Sequence, residues 1–234
     1  MLPIEWARES AESEPVALRR QIRWRLPGVK TRGCVHQLVS SRQAPPTVLA
    51  LALAGADIEP TTETRQIVAL LRDRYKDMGW PPEFIRAFEC EDRKDLESRL
   101  NGCRDHVVHI AGHLGPDGLQ VGGEMLKAET LAARLNESEA RLIVLNGCDG
   151  GTVKSPLAVE YLTLADRLVH DGRVPEVVAH RAKIAVSDSL VFARAFYQTF
   201  FGKTSSFDVA QAVFEARKAG SARLQLCPVV ISQR

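Results

Sequence analysis

RLIVLNGCDGG, residues 141–151, holds four consecutive apolar residues (142–145) and then breaks into Asn146, Gly147, Cys148, Asp149 and a Gly pair. A short apolar run closed by glycine reads as a strand of a buried sheet, and the change of character marks where the chain leaves that sheet. HIAGHLGPDGLQ, residues 109–120, does the same. A mostly apolar run over 106–111 gives way to Gly112, His113 and, after Leu114, Gly115. Two strands thus end in glycine-rich turns, one presenting His113 and the other Cys148.

Outward from these two strands the pattern alternates. TVLALALA (47–54), FIRAFEC (84–90), VPEVVAH (174–180) and CPVVIS (227–232) read as further strands. GLQVGGEML (118–126) reads as a small hairpin around Gly122-Gly123. Between them lie helical segments at 61–79, 92–100, 128–138, 155–170, 188–202 and 207–220. The first carries Ile67, Leu70, Leu71, Tyr75 and Met78 on one face, and the fourth has Leu157, Tyr161, Leu164, Ala165 and Leu168 in register. Strands alternating with helices predict an α/β fold: a mostly parallel sheet of about six strands with helices on both faces. In such sheets functional groups collect at the carboxyl ends of the strands, where His113 and Cys148 fall.

The chain has 234 residues, 45% hydrophobic and 26% charged, enough for one domain with a sizeable core. A formal net charge of +2 demands neither nucleic acid nor an acidic partner. The five cysteines (34, 90, 103, 148, 227) are an odd, scattered set without C-x-x-C. They suggest neither a disulfide framework nor a zinc cluster and suit a reducing cytoplasm. No signal-peptide pattern opens the chain, and TVLALALAGA (47–56) is about half of a membrane span, so a soluble cytoplasmic protein without membrane contact is expected. Residues 1–45 stand apart as a basic N-terminal segment and linker. They hold two of the three tryptophans and RRQIRWRLPGVKTR (19–32), with six Lys or Arg and no acid. SSRQAPP (40–46) reads as the linker, and 46–234 as the main domain.

A thiol in a rigid, glycine-flanked turn beside an imidazole is the equipment of a cysteine peptidase. The thiolate attacks, the imidazole moves protons, and backbone N–H groups face the developing oxyanion. Cys148 is the candidate nucleophile and His113 its proton-transfer partner. The N–H groups of Cys148 and of Leu114 or Gly115 are candidates for the oxyanion hole. Gly147 lets a substrate carbonyl approach the main chain. Taken singly, a cysteine is more often an inert buried residue and a strand histidine a structural one; their joint placement carries the reading.

VVHIAGHLG (107–115) and IVLNGCDGG (143–151), in this order and separated by a hairpin and a helix, resemble the CHAT peptidases, bacterial relatives of the caspases and separases. VPEVVAHRAKIAVSD, ARAFYQTFFGK with DVAQAVFEARKA, and TVLALALAG with the TETRQI helix extend the resemblance over about 47–232. It implies a caspase-like fold for 46–234, His113 and Cys148 as a catalytic dyad, a protein substrate and no cofactor. It also implies control by a regulatory protein partner, in bacterial defence or programmed death. Two positions depart from the pattern. Leu114 stands where a Gly usually follows the histidine, with Gly115 one later. Asp149 follows the nucleophile and would disfavour the thiolate if turned inward. The resemblance also places the 181–188 loop at the pocket for the substrate residue before the cut, so Asp188, with Asp149 and Gly147, is a candidate substrate-binding residue. Asp188 would favour Arg or Lys there, whereas Arg181 and Lys183 would favour an acid.

The alternatives follow from the same residues. Ser187 or Asp188 can instead serve as a helix cap. His109, four residues before His113, is read as a hydrogen-bonded strand histidine, and no metal site is expected. Asn146 is read as fixing its turn. The glycines after Cys148 match neither phosphate-binding spacing, although a nucleotide-binding α/β module stays open, as does an inactive caspase-like scaffold that binds partners. Nucleic-acid binding by 19–32 is not expected, with Trp24 its one interleaved aromatic.

Overall fold

The computed structural model describes residues 23–26, 33–42, 44–55, 60–115, 118–147, 159–180, 185–202, 205, 207–220 and 228–233. In chain order the elements are β1 (Arg23–Leu26), α1 (Val35–Arg42), β2 (Val48–Leu53), α2 (Pro60–Asp77), β3 (Ile85–Cys90), α3 (Arg93–Leu100), β4 (Val107–Gly115), β5 (Gly118–Val121), β6 (Glu124–Lys127) and α4 (Ala128–Asn136). There follow β7 (Leu142–Gly147), α5 (Val159–His170), β8 (Glu176–His180), α6 (Val186–Phe200), α7 (Val209–Ala219) and β9 (Pro228–Gln233).

Seven strands form the main sheet in the order β1-β9-β8-β7-β4-β2-β3. Every neighbouring pair is parallel except β8 and β9, which run antiparallel. The sheet is one strand wider than expected because Arg23–Leu26, from the basic N-terminal run, pairs with β9 at one edge. Val35 and Leu38 of α1 are buried. The sheet and its core therefore extend across residue 45, where the composition changes.

Side chains alternate between the faces of each strand, so each strand feeds two cores. Val48 and Ala50, Val107, Leu142 and Val144, and Val178 pack with α2, α6 and α7 on one face. Leu49, Leu51 and Leu53, Val108 and Ile110, Ile143 and Leu145, and Val177 pack with α3, α4 and α5 on the other. The first face is aromatic: Tyr75, Phe192, Phe196, Tyr197, Phe200 and Phe201 are fully buried there. Each such side chain contributes roughly 1.5–3 kcal/mol by leaving water. No described helix is long and apolar enough to cross a membrane.

One element differs from its expectation in a way that bears on the site. Gly112, His113 and Gly115 do not form a turn. β4 continues through them to Gly115, leaving the main sheet after Gly112 and pairing antiparallel with β5, His113 opposite Gln120 and Leu114 opposite Leu119. β5 and β6 are joined by Gly122 and Gly123, both at positive φ (57° and 81°), which a two-residue hairpin turn requires. The hairpin therefore braces the strand end that carries His113.

Candidate active site

β4 and β7 are adjacent parallel strands in register over 107–112 and 142–147, so that Gly112 stands opposite Gly147. His113 is the next residue on β4. Cys148 is the next residue after β7, and it lies outside the described residues, as do Asp149, Arg181, Lys183 and Cys227. The two candidate residues thus follow one register pair at the carboxyl end of the sheet, where an open α/β sheet collects its functional groups.

His113 is half-buried. Its ring lies against the backbone of Gly55, just past β2; a methyl group there would stand 2.6 Å from His113 Cδ2 and 3.3 Å from Nε2. Leu114 is also half-buried and packs against the core that holds α3, α4 and α5. Its side chain covers Gly147: a methyl group on Gly147 would stand 2.4 Å from Leu114 Cγ and Cδ1 and 3.1 Å from the Gly112 carbonyl oxygen. Leu114 thus fills the space beside the glycine before Cys148.

Asp188 lies in the first turn of α6 and is half-buried. Neither it nor Ser187 is the N-cap. That position is Ala185, with no side-chain cap bond, and the helix begins at Val186, two residues earlier than expected. An acid in the first turn still complements the helix dipole.

Beneath the strand ends, on the α2 and α6 face, lies a buried polar cluster that the sequence reading did not assemble. Asn146 Nδ2 donates to Glu63 Oε1 at 2.5 Å and to the Ser189 carbonyl at 3.3 Å. Its Oδ1 is 2.8 Å from His180 Nε2. Ser189 Oγ donates to Glu63 Oε2 at 3.0 Å. His109 Nδ1 shares a 3.0 Å hydrogen bond with the Tyr197 hydroxyl, and its Nε2 stands 3.3 Å from Glu63 Oε1 without hydrogen-bond alignment. All six residues are buried. A carboxylate only accepts, so Asn146 turns its amide nitrogen to Glu63 and its oxygen to His180. His180 must then carry its proton on Nε2. Burial pushes its pKa down to about 3, so the ring is neutral, and its Nδ1 has no hydrogen-bond partner among the described residues. Burial, with the Glu63 charge second, pushes the Tyr197 hydroxyl well above its usual range.

Asn146 does make hydrogen bonds, but it stands within β7 and bonds to α2, α6 and β8, and His109 does find a side-chain partner. Glu63, His180, Ser189 and Tyr197 were missed, although a signal existed. Glu63 lies four residues before Ile67 and eight before Leu71, on the apolar stripe of α2, and His180 follows Val178 on the inward face of β8. Among the described residues, no three His, Cys, Asp or Glu side chains are grouped to hold a metal ion.

No match was found among curated protein sequences. Among solved structures, the Arg-specific cysteine proteinase gingipain R (RgpB) is 14% identical with a TM-score of 0.51, over 80% of this chain and 46% of that one. The complex of Porphyromonas gingivalis RgpB pro- and mature domains gives 14% and 0.51, over 80% and 47%. The Saccharomyces cerevisiae separase–securin complex gives 13% and 0.49, over 85% and 14%. The chain therefore spans under half the length of these structures. The family model described as the CHAT domain matches residues 2–222. With that match over most of its length, and the caspase-like fold it shares with gingipain R, this chain belongs to the CHAT domain family.

Proposed function

We propose that this protein is a cysteine endopeptidase working through a Cys148–His113 dyad. The observation that carries the reading is the register of β4 and β7: Gly112 pairs with Gly147, His113 is the next residue on β4, and Cys148 is the next residue in sequence after β7. In the proposed reaction the Cys148 thiolate attacks the scissile carbonyl carbon. The oxyanion is met by the Cys148 N–H and by one N–H of the 114–115 segment. In an antiparallel ladder, consecutive N–H groups point to opposite sides, so only one of Leu114 and Gly115 is turned away from β5. Protonated His113 gives its proton to the leaving amine nitrogen as the C–N bond breaks, leaving a thioester on Cys148. His113 then takes a proton from water, which attacks the thioester and releases the acid and the thiolate.

In this reading Asp149 and Asp188 bind the substrate, while Gly147, covered by Leu114, offers it only main-chain groups. The half-buried Asp188 in the first turn of α6 would favour Arg or Lys before the cut, because opposite charges attract more strongly where water is partly excluded. Arg specificity is also what the name of gingipain R states of that enzyme. In this reading the substrate is a protein, a separate protein partner controls the enzyme, and the setting is the cytoplasm in bacterial defence or cell death.

The test is a proteome-wide search for new N-termini, comparing wild type with Cys148→Ala and His113→Ala. Cleavages present in wild type and lost in both variants are expected. Identical N-termini in all three, with each variant folded, would leave a scaffold that binds partners. Profiling Asp188→Asn on a peptide library tests the specificity: the preference for Arg or Lys should fall.

A further inference from the structure

The reaction proposed above needs the end of β7 held still, and β7 ends in two residues, Asn146 and Gly147, of which the second has no side chain to anchor it. We propose that the buried cluster of Glu63, Asn146, His180 and Ser189, joined by His109 and Tyr197, is a positioning device for that strand end. The inference rests on the reading of Cys148 as nucleophile.

Three observations carry it. First, Asn146 is tied to three different elements at once: α2 through Glu63, α6 through the Ser189 carbonyl, and β8 through His180. Three bonds in different directions fix a side chain's position and twist, which apolar contact with the same neighbours does not. Second, Glu63 reaches both strands that lead to the dyad. One of its oxygens takes the Asn146 amide and stands 3.3 Å from His109 of β4, while the other takes the Ser189 hydroxyl. Third, the surrounding face is apolar: Val144, Val178 and Phe192 are fully buried there. Six polar side chains in that setting pay a desolvation penalty that aliphatic ones would avoid, so packing alone does not account for them. These are positioning residues, since they act on the reaction only through the strand that they hold.

The test reads the reactivity of Cys148 directly. In the full chain, alkylation by iodoacetamide at neutral pH is followed at each cysteine by mass spectrometry, alongside thermal melting. Asn146→Ala and Glu63→Ala should slow the alkylation of Cys148 by about tenfold or more, the scale on which small displacements of reacting groups tell. Glu63→Gln, which can still accept from Asn146, should lose less than Glu63→Ala. Leu135→Ala removes a buried side chain from α4 on the opposite face. It should lower the melting temperature and leave the Cys148 rate alone, which separates positioning from stability. Wild-type rates in folded Asn146→Ala and Glu63→Ala would overturn the proposal, as would equal slowing in Leu135→Ala. If the two alanine variants do not fold, Ser189→Ala decides: it removes one bond to Glu63, so slowing supports the proposal and a wild-type rate overturns it. His113→Ala keeps the two readings apart. Equal Cys148 rates in wild type and His113→Ala would sink the dyad, while the comparison of Asn146→Ala with Leu135→Ala would still decide the role of the cluster.

Discussion

A methyl group on Gly55 has nowhere to go except into the ring of His113, 2.6 Å from Cδ2. What it meets is the end of a side chain, so the ring can swing aside at little cost to the fold. Gly55→Ala should therefore keep its stability within about 1 kcal/mol while peptidase activity falls about 10²-fold, the penalty of a misplaced group. Full activity in Gly55→Ala would mean that His113 does not work from where it stands. Gly147 is crowded differently, by Leu114 Cγ and Cδ1 at 2.4 Å and by the Gly112 carbonyl oxygen at 3.1 Å. Gly147→Ala should destabilise by ~1–3 kcal/mol, as overpacking does. Leu114→Ala in the same chain should recover part of that loss, since residues in contact are not additive. Urea denaturation of the four chains of this cycle measures the coupling, and equal costs of Gly147→Ala in both backgrounds would rule the contact out. Neither crowding was legible in the sequence, because Gly55 and His113 meet only once β2 and β4 lie side by side.

Most elements were legible, and the exceptions have physical reasons. The expected strands and the helices of the main domain are found within a few residues where the structure describes them, because each carries its own hydrophobic period. β4 was cut short in the reading: Gly112 and Gly115 look like turn signals, yet a partner strand, β5, supplies ladder bonds that outweigh local propensity. β1 went unread although Arg23–Leu26 (RWRL) alternates polar and apolar as a strand does: the basic charge of the run hid a two-residue period that pairing with β9 realises. Helix starts divide in the same way. α6 begins at Val186, after Ala185 as an N-cap with no side-chain cap bond, so its start is set by packing rather than by Ser187 or Asp188. α7 instead begins with a local signal: Asp208 accepts from the N–H groups of Ala210 at 2.8 Å and Gln211 at 3.2 Å. Asp208→Ala should therefore cost about 1 kcal/mol, seen as a lower urea midpoint with unchanged slope. Phe207, beside this cap, stacks on Trp80 just past the end of α2, so the cap lies at the opposite end of the sheet from Gly112 and Gly147, and the reactivity of Cys148 should stay as in wild type.

At the scale of the whole molecule, the cluster around Glu63 is where sequence reading stops. Its members come from α2, β4, β7, β8 and α6, spread from residue 63 to residue 197, and only the folded sheet brings them together. Such a cluster makes the stability of the whole protein depend on pH, through His180. An unfolded chain carries this imidazole at its ordinary pKa of about 6.5, whereas burial in the fold pushes it down to about 3. Between those values the unfolded state binds the additional proton. Stability from His180 is therefore complete above pH ~6.5, falls as the pH drops, and is lost by pH ~3. The slope for one proton is at most ~1.4 kcal/mol per pH unit. His180→Gln removes the titration and keeps an N–H that can donate to Asn146. It should be less stable than wild type near neutral pH, having lost the ring that meets Phe192 edge-on at 4.9 Å. Its disadvantage should shrink by ~1.4 kcal/mol for each unit between about pH 6 and 4. Urea denaturation of both proteins across that range is the measurement, because the other carboxylates and histidines cancel in the difference. Two parallel stability curves would mean that His180 gains its proton as easily in the fold as outside it, and that the Asn146 oxygen is held by something other than a neutral imidazole.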